Sequence, residues 1–190
     1  MAIITATARI KGAAPYSQSR HYTDPAKEKR ETAKDYEART WRERMHATVA
    51  GDVIIPAMAF KNCLSEAAKF LALQVPGKGK ATYTKHFEAG VMVLEPMTLG
   101  IRKADVTGEW LFVPADGKRG GSKRVEKCFP VILDWGGEIA FTIVDPAITE
   151  DVFRQHLDEA GKYIGIGRFR PRNNGYYGRF TVERLDWTAR

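Results

Sequence analysis

The sequence is poor in cysteine, with Cys63 and Cys128 alone among 190 residues. Two thiols exclude a disulfide-stapled scaffold of several bridges and a four-cysteine zinc cage. Each sits in an apolar context, Asn62-Cys63-Leu64 and Lys127-Cys128-Phe129, so both are expected to be reduced, buried thiols of a cytoplasmic protein. No stretch approaches the ~18 apolar residues a membrane span requires, and no membrane partner is expected. The opening Met-Ala-Ile-Ile-Thr-Ala-Thr-Ala-Arg has no basic n-region and no apolar h-region, so no signal peptide is expected. The chain lacks a Gly-Lys-Ser/Thr phosphate loop. Gly165-Ile166-Gly167 lacks a third glycine at dinucleotide spacing and follows a helix rather than opening one. There is no His-x-x-x-His, no paired cysteine motif and no Gly-x-Ser-x-Gly elbow. No metal and no cofactor are therefore expected.

Basic charge is the first positive signal. The formal net charge is +7 and the pI about 9.4, but its placement matters more than its size. Lys162, Arg168, Arg170, Arg172, Arg179, Arg184 and Arg190 face only Glu183 and Asp186 over the last 29 residues, a net of +5. Residues 117–127 hold Lys118, Arg119, Lys123, Arg124 and Lys127 against Glu126, a net of +4. Residues 20–50 carry eight basic and six acidic side chains and read as a charged insertion. Clusters of this kind attract polyanions; the plainer reading is a solvated face.

Periodicity gives the elements. Residues 2–10 alternate, with Ile4, Ala6, Ala8 and Ile10 on one face, as a strand requires. Asp24-Pro25 is a candidate helix cap in the insertion, where Ala33, Tyr36, Thr40, Trp41 and Met45 would form a narrow apolar stripe; an arm with partial helix fits equally well. Phe60, Cys63, Leu64, Ala67, Ala68 and Leu71 recur at three/four spacing and predict a helix over 57–73. Residues 90–95 read as a buried strand, 110–113 as a short one, 114–124 as a loop and 138–144 as a strand. A second helix opens at Thr149, with Val152, Phe153, His156, Leu157 and Ala160 as its stripe and Gly161 as its left-handed C′ residue. Segments 163–169 and 178–187 read as extended. The order strand, helix, two strands, helix, strand is that of an α+β, ferredoxin-like (RRM-like) βαββαβ core with an antiparallel sheet. It is expected as one domain over 1–190, with 20–50 inserted after the first strand.

The densest functional signal lies at 165–180, where four glycines, four arginines and four aromatics fall within 16 residues. Glycine lets backbone approach a ligand closely. Arginine pairs with phosphate and stacks on bases. Aromatic rings stack on unpaired bases. A plain hairpin with its tip at Asn174-Gly175 is the alternative. Catalytic candidates are fewer. His156 falls on a buried stripe. His21 with Tyr22, and Thr84-Lys85-His86, are sets that a metal-independent endonuclease uses as acid and base; His46 completes the four histidines.

Two motifs together carry a resemblance. Ile55-Pro56-Ala57-Met58-Ala59-Phe60-Lys61-Asn62 opens a helix after a strand and a long insertion, and Gly165-Ile166-Gly167-Arg168-Phe169 comes near the C-terminus. This order resembles the RAMP superfamily, and more narrowly the backbone subunits of CRISPR effector complexes. There the helix often opens Ile-Pro-Gly-Ser-Ser-Leu-Lys-Gly. Ile55, Pro56 and Lys61 match; Ala57, Met58, Ala59 and Asn62 depart. The loop matches through Gly165, Gly167, Arg168, Phe169, Gly175 and Gly178. The resemblance implies an RRM-like core that polymerises along guide RNA, and the short chain fits a stand-alone or mobile-element relative. It also implies that the 20–50 insertion meets a neighbouring subunit or the target strand. Some members cleave target RNA with an Asp of this insertion, for which Asp24, Asp35 and Asp52 are candidates.

The sequence thus predicts a non-catalytic binder of single-stranded nucleic acid, RNA or DNA with RNA favoured, that self-associates into a homo-oligomer or filament along the strand. Lys61, Arg168, Arg170 and Arg172 are expected on phosphates, Gly165 and Gly167 at the close approach, Phe169, Tyr176 and Tyr177 on bases or supporting the loop, and Arg179 within the same nucleic-acid-binding set. A metal-independent RNA-processing endonuclease and a viral structural or assembly protein are the alternatives.

Overall fold

The computed structural model describes residues 3–23, 25–115 and 123–189. Lys118 and Arg119 of the basic 117–127 stretch, Arg190, and the insertion's Asp24 lie outside them.

The alternation at the start of the chain forms strand β1 (Ile4–Gly12). Ala6, Ala8 and Ile10 are almost completely buried. After a turn come the two-residue strand β2 (Tyr16–Ser17) and the insertion, which contains helix α1 (Ala33–Thr40) and a 3-10 turn (Trp41–Arg44). Thr32 caps α1, its hydroxyl accepting from the Asp35 N–H. Of the expected stripe, Thr40, Trp41 and Met45 are buried and Ala33 is exposed. Strand β3 (Asp52–Ile55) leads into helix α2 (Ala57–Leu71). Ala72 ends α2 in the left-handed conformation, its N–H still bonded to the Ala68 carbonyl.

Next follow helix α3 (Thr84–Gly90) and strands β4 (Val91–Met92), β5 (Met97–Arg102), β6 (Thr107–Pro114), β7 (Arg124–Ile132) and β8 (Gly136–Ile143). The sequence-predicted strand at 90–95 shrinks to two residues, because Gly90 still belongs to α3 and Met92, Leu94 and Glu95 are exposed. Helix α4 (Glu150–Glu159) opens at Thr149 as expected, and the Thr149 hydroxyl accepts from the Val152 N–H. Its end is a correction. Gly161 is no left-handed cap: the chain runs on through a wide π-type turn (Ala160–Ile164), closed by the Gly165 N–H on the Ala160 carbonyl at 2.9 Å. Gly165, at φ 66, takes the left-handed role instead. Gly161 is needed for a different reason, since a side chain there would strike the Phe180 carbonyl. Residues 163–169 are consequently not an extended segment, whereas strand β9 (Phe180–Ala189) replaces the expected 178–187.

The main sheet is four-stranded and antiparallel throughout, in the order β4-β8-β1-β9. Its core face carries Ala6, Ala8, Ile10, Ile139, Phe141, Ile143, Phe180 and Val182, packed with Phe60 and Leu64 of α2 and Phe153 and Leu157 of α4. Phe141 meets Phe60 and Phe153 edge-on, at centroid distances of 6.4 and 5.1 Å. Burying side chains of this size stabilises by about 1.5–3 kcal/mol each. The opposite face is polar. Arg9 lies 3.8 Å from Glu138 and 3.4 Å from Glu183, and Arg184 lies 3.1 Å from Glu138.

Two smaller antiparallel sheets complete the structure, β2-β7-β6 and β3-β5. The insertion does not hang free. Glu37 of α1 is buried and accepts from both terminal nitrogens of Arg44, from the Cys128 N–H at 2.9 Å and from Lys127 Nζ at 2.9 Å. It thereby fastens α1 and the 3-10 turn onto β7. Among the described residues no helix is long and apolar enough to cross a membrane.

Candidate nucleic-acid interface

The glycine- and arginine-rich segment is a folded loop laid on β2. Arg168 N–H donates to the Ser17 carbonyl at 2.7 Å, and Gly178 N–H to the Pro15 carbonyl at 2.8 Å. The loop then closes on itself through Ile166 N–H to Gly178 O at 3.1 Å and Tyr177 N–H to Phe169 O at 3.1 Å. Such tight layering needs bare backbone. Gly167 has φ 79, and a Cβ there would run into the Ser17 carbonyl and the Tyr16 ring; Gly178, at φ 71, would strike the Ile166 carbonyl. A 3-10 turn (Pro171–Asn173) follows, and Asn174 turns the chain at φ 60. Phe169 also has positive φ, 52°. A non-glycine residue in that region is strained by about 1–3 kcal/mol, a feature that clusters at functional sites. Here the strain leaves the Phe169 ring 44% exposed.

The expected site residues divide into three groups. Arg168, Phe169, Tyr176 and Tyr177 come together. The Arg168 guanidinium stacks on Phe129 and on Phe169, at 3.2 and 3.8 Å from the ring centroids. Tyr177 meets Phe169 edge-on at 6.3 Å and Tyr176 at 4.5 Å. Tyr176 is 55% exposed, whereas Tyr177 is buried and donates its hydroxyl to Glu109 at 2.8 Å. Burial is the first cause that pushes the Tyr177 hydroxyl's pKa up. Tyr177 therefore supports the loop, and Phe169 and Tyr176 are its open rings.

Arg170 and Arg172 both reach Glu66 of α2, at 2.7 and 3.8 Å. Arg179 is held by carbonyls, donating to Lys162 O at 3.2 Å and Tyr176 O at 3.3 Å. Lys61 stands apart from the loop cluster. Its ammonium donates to the Phe87 carbonyl, to the Glu88 carbonyl at 2.8 Å and to Ser65 Oγ at 3.4 Å. It thus satisfies the C-terminal carbonyls of α3, and burial pushes its pKa down.

Beside Arg168 lies an open cleft of about 370 Å³, lined by Tyr16, Gln18, Ser19, His46, Pro56, Ala59, Gly167 and Arg168. Three polar groups here are buried and unmet among the described residues: Ser17 Oγ, Gln18 Nε2 and Arg168 Nη1. Gln18 is only 2% exposed. Its carbonyl oxygen accepts the Tyr16 hydroxyl at 3.5 Å, which leaves the amide nitrogen seeking an acceptor. Burial lowers the Arg168 pKa to about 10, still fully charged at neutral pH. His46 is pushed below its ordinary value by burial and by Arg20, so it is neutral there. Pro56 opens α2 with no side-chain cap and no acidic residue in the first turn. A helix start of that kind presents unpaired N–H groups and the positive end of its dipole. Arg168, the Gln18 amide and the helix start favour an acceptor of negative charge in the cleft.

Ser17, Gln18, Ser19, His46, Phe129 and Glu66 are the participants that the sequence reading missed. The run Tyr16-Ser17-Gln18-Ser19-Arg20 is polar and unperiodic, and only its tertiary position beside Gly167 gives it meaning. The remaining histidines lie elsewhere. His156 stacks on Phe87 at 4.2 Å and is buried. His86 Nδ1 meets Asp145 Oδ2 at 2.6 Å. Asp52, one of the candidate aspartates, lies 3.4 Å from Arg102, and Asp35 caps α1 with Thr32. Among the described residues no group of three or more His, Cys, Asp or Glu is placed to hold a metal ion.

No protein-family model and no curated protein matches the chain. Solved structures do. The chain is similar to a subunit of the Type III-B Cmr-beta complex bound to cognate target RNA, at 11% identity over 98% of this chain and 61% of that one, with a TM-score of 0.48. It is similar to Cmr6 from Pyrococcus furiosus at 13% identity over 96% of this chain and 99% of that one, with a TM-score of 0.49. A CRISPR RNA-guided surveillance complex aligns at 11% identity over 96% of this chain and 67% of that one, with a TM-score of 0.42. The chain spans less than two thirds of the length of the first of these.

Proposed function

We propose that this chain is a single-stranded RNA-binding subunit that grips the sugar-phosphate backbone at the cleft beside Arg168 and offers Phe169 and Tyr176 to unstacked bases. The observation that carries this reading is the set of unmet, buried groups Arg168 Nη1, Gln18 Nε2 and Ser17 Oγ. Gln18 and Arg168 line the open cleft together with Pro56 of the helix start, and Ser17 adjoins Gln18, a setting that suits an anionic ligand oxygen. Two open aromatic rings beside a phosphate site match the needs of an unpaired strand better than those of a duplex or a small anion.

The core is read as βαββαβ, formed by β1, α2, β4, β8, α4 and β9. The sheet order β9-β1-β8-β4, with α2 and α4 contributing to one core, supports it. On this reading 1–190 is one domain, α1 and its flanks are an insertion docked on β7, and the role is binding without catalysis. RNA is favoured over DNA by the motif resemblance, which also supports self-association along the strand. Arg168, Arg170 and Arg172 are the phosphate contacts. Lys61 is left out, because its ammonium is engaged by α3.

Three phosphate contacts to a single strand give a slope of log affinity against log salt of about −0.7 × 3, or roughly −2. Fluorescence anisotropy with labelled oligouridine across a salt series measures it. A slope indistinguishable from zero, or no binding at low salt, overturns the proposal. Sizing the purified protein with and without oligouridine tests self-association; a lone protomer in both conditions removes that part.

A further inference from the structure

Glu66 projects from α2 toward the loop and receives two of its arginines. Arg170 Nη2 donates to Oε1 at 2.7 Å, and Arg172 Nε lies 3.8 Å from Oε2. One carboxylate thus gives one oxygen to each guanidinium. A phosphodiester, with one negative charge and two free oxygens, satisfies a guanidinium pair in the same way. The three side chains stay in reach of water, at 21% exposure for Arg170, 29% for Glu66 and 55% for Arg172. Partly exposed pairs of this kind contribute little to stability, about 0–1 kcal/mol. Arg168, by contrast, pairs with no carboxylate among the described residues, and its buried Nη1 has no hydrogen-bond partner there. The loop therefore holds two arginines on Glu66, one on backbone carbonyls and one, Arg168, with an unmet nitrogen.

We infer that Glu66 is a built-in competitor for the polynucleotide backbone, holding Arg170 and Arg172 in the free protein and yielding them to phosphate as a strand binds. The inference rests on the nucleic-acid reading above and adds a regulating group to that site. Its consequence is discrimination. A lone phosphate must displace Glu66 for a single contact. A strand already held at Arg168 brings its next phosphates at high effective concentration, so displacement favours a chain over a small anion. The two arginines and Glu66 together carry a net charge of +1 rather than +2, which also weakens the initial attraction.

Glu66→Gln keeps the shape and removes the charge. Labelled oligouridine is expected to bind this variant about threefold more tightly than wild type at low salt, in line with the strength of such pairs. Its salt slope should stay near the wild-type value of roughly −2, because the same three arginines meet phosphate in the bound state. Inorganic phosphate should compete more effectively against the variant than against wild type. In an Arg170→Gln plus Arg172→Gln background, Glu66→Gln should change nothing. Circular dichroism at the working temperature confirms that each protein is folded. Equal or weaker binding by folded Glu66→Gln overturns the inference while leaving the nucleic-acid reading intact. An equal gain in the arginine-free background overturns it as well, because Glu66 would then act by general charge alone. Absence of binding by both wild type and Glu66→Gln overturns the nucleic-acid reading, and the inference with it.

Discussion

The guanidinium of Arg168 lies over the ring of Phe129, with Cζ 3.2 Å from the centroid. Phe129 belongs to β7, and the same ring has Arg44 of the insertion at 5.7 Å. Arg44 in turn is paired with the buried Glu37. One aromatic ring thus joins the glycine-rich loop to the clamp that fastens the insertion. Stacking also orients Arg168, because a planar guanidinium held by its face presents its nitrogens edge-on to the cleft.

Replacing Arg168 by lysine keeps the charge and loses the plane. A desolvated cation–π contact is worth about 2 kcal/mol, and an ammonium has no fork with which to span two oxygens. Arg168→Lys is expected to weaken oligouridine binding by roughly tenfold or more and to lower stability by up to about 2 kcal/mol, the worth of the lost stack on Phe129. Phe129→Leu should weaken binding in the same direction, although residue 129 touches no ligand in the proposed arrangement. Anisotropy titrations of both variants measure this; wild-type affinity in Arg168→Lys would show that Arg168 contributes charge alone.

Glu37 gives the protein a defined weakness in acid. Burial by itself pushes this carboxyl's pKa up, but hydrogen bonds from Arg44, the Cys128 N–H and Lys127 together outweigh burial and hold it below the ordinary value. A carboxyl depressed in the folded state stabilises fully above its unfolded pKa of about 4.3. That contribution disappears as pH falls through the folded value. Glu37→Gln should flatten the acid limb of stability against pH. It should also lower stability at neutral pH by about 3–5 kcal/mol, because Arg44 is left buried without its counter-charge. Urea midpoints across pH read both effects, and a variant as stable as wild type at pH 7 would contradict them.

What the sequence revealed follows from local pattern. β1, α2 and α4 each place large or β-branched side chains on one face at period two or three/four, and each appears where the pattern put it. α3 spans only seven residues, too few for a periodic stripe to declare itself. β7 carries Pro130 paired to Gly108 and mixes charged with apolar residues on both faces, because α1, the loop and β6 each cover part of it. The loop's composition pointed to a candidate site, but its long-range partners were invisible. Nothing near residue 170 announces a carboxylate at residue 66, and nothing near Lys61 announces the carbonyls of α3. Gly161 fitted a helix cap by spacing alone, yet its reason is the approach of β9.

The glycines of the loop are the plainest test of its backbone. Gly167→Ala and Gly178→Ala each place a methyl group at positive φ and into a carbonyl oxygen. Strain of this kind costs about 1–3 kcal/mol, and relief of the clash moves the loop off β2. Both variants are expected to lose stability by at least that amount and to lose oligouridine affinity. Gly77→Ala, at φ 74 but with open space around it, should cost no more than about 1–2 kcal/mol and leave binding unchanged. Denaturation and anisotropy on the three variants separate loop geometry from glycine content; equal losses in all three would show that the close approach of the loop to β2 is immaterial.

The two tyrosines at the loop's end should part company. Tyr176 is exposed, while Tyr177 is buried against Phe169 with its hydroxyl on Glu109. If Phe169 and Tyr176 receive bases, Phe169→Ala and Tyr176→Ala should each weaken strand binding by about 1–3 kcal/mol, the worth of a stacked base, with small effects on folding. Tyr177→Phe removes one hydrogen bond to a charged group, an interaction worth about 1.5–3 kcal/mol, and should lower stability while leaving the two open rings in place. Binding measured where Tyr177→Phe remains folded should therefore stay near wild type. Tyr176→Ala with full affinity, beside Tyr177→Phe with none, would reverse the assignment of the two rings and place the base-stacking surface on the inner side of the loop.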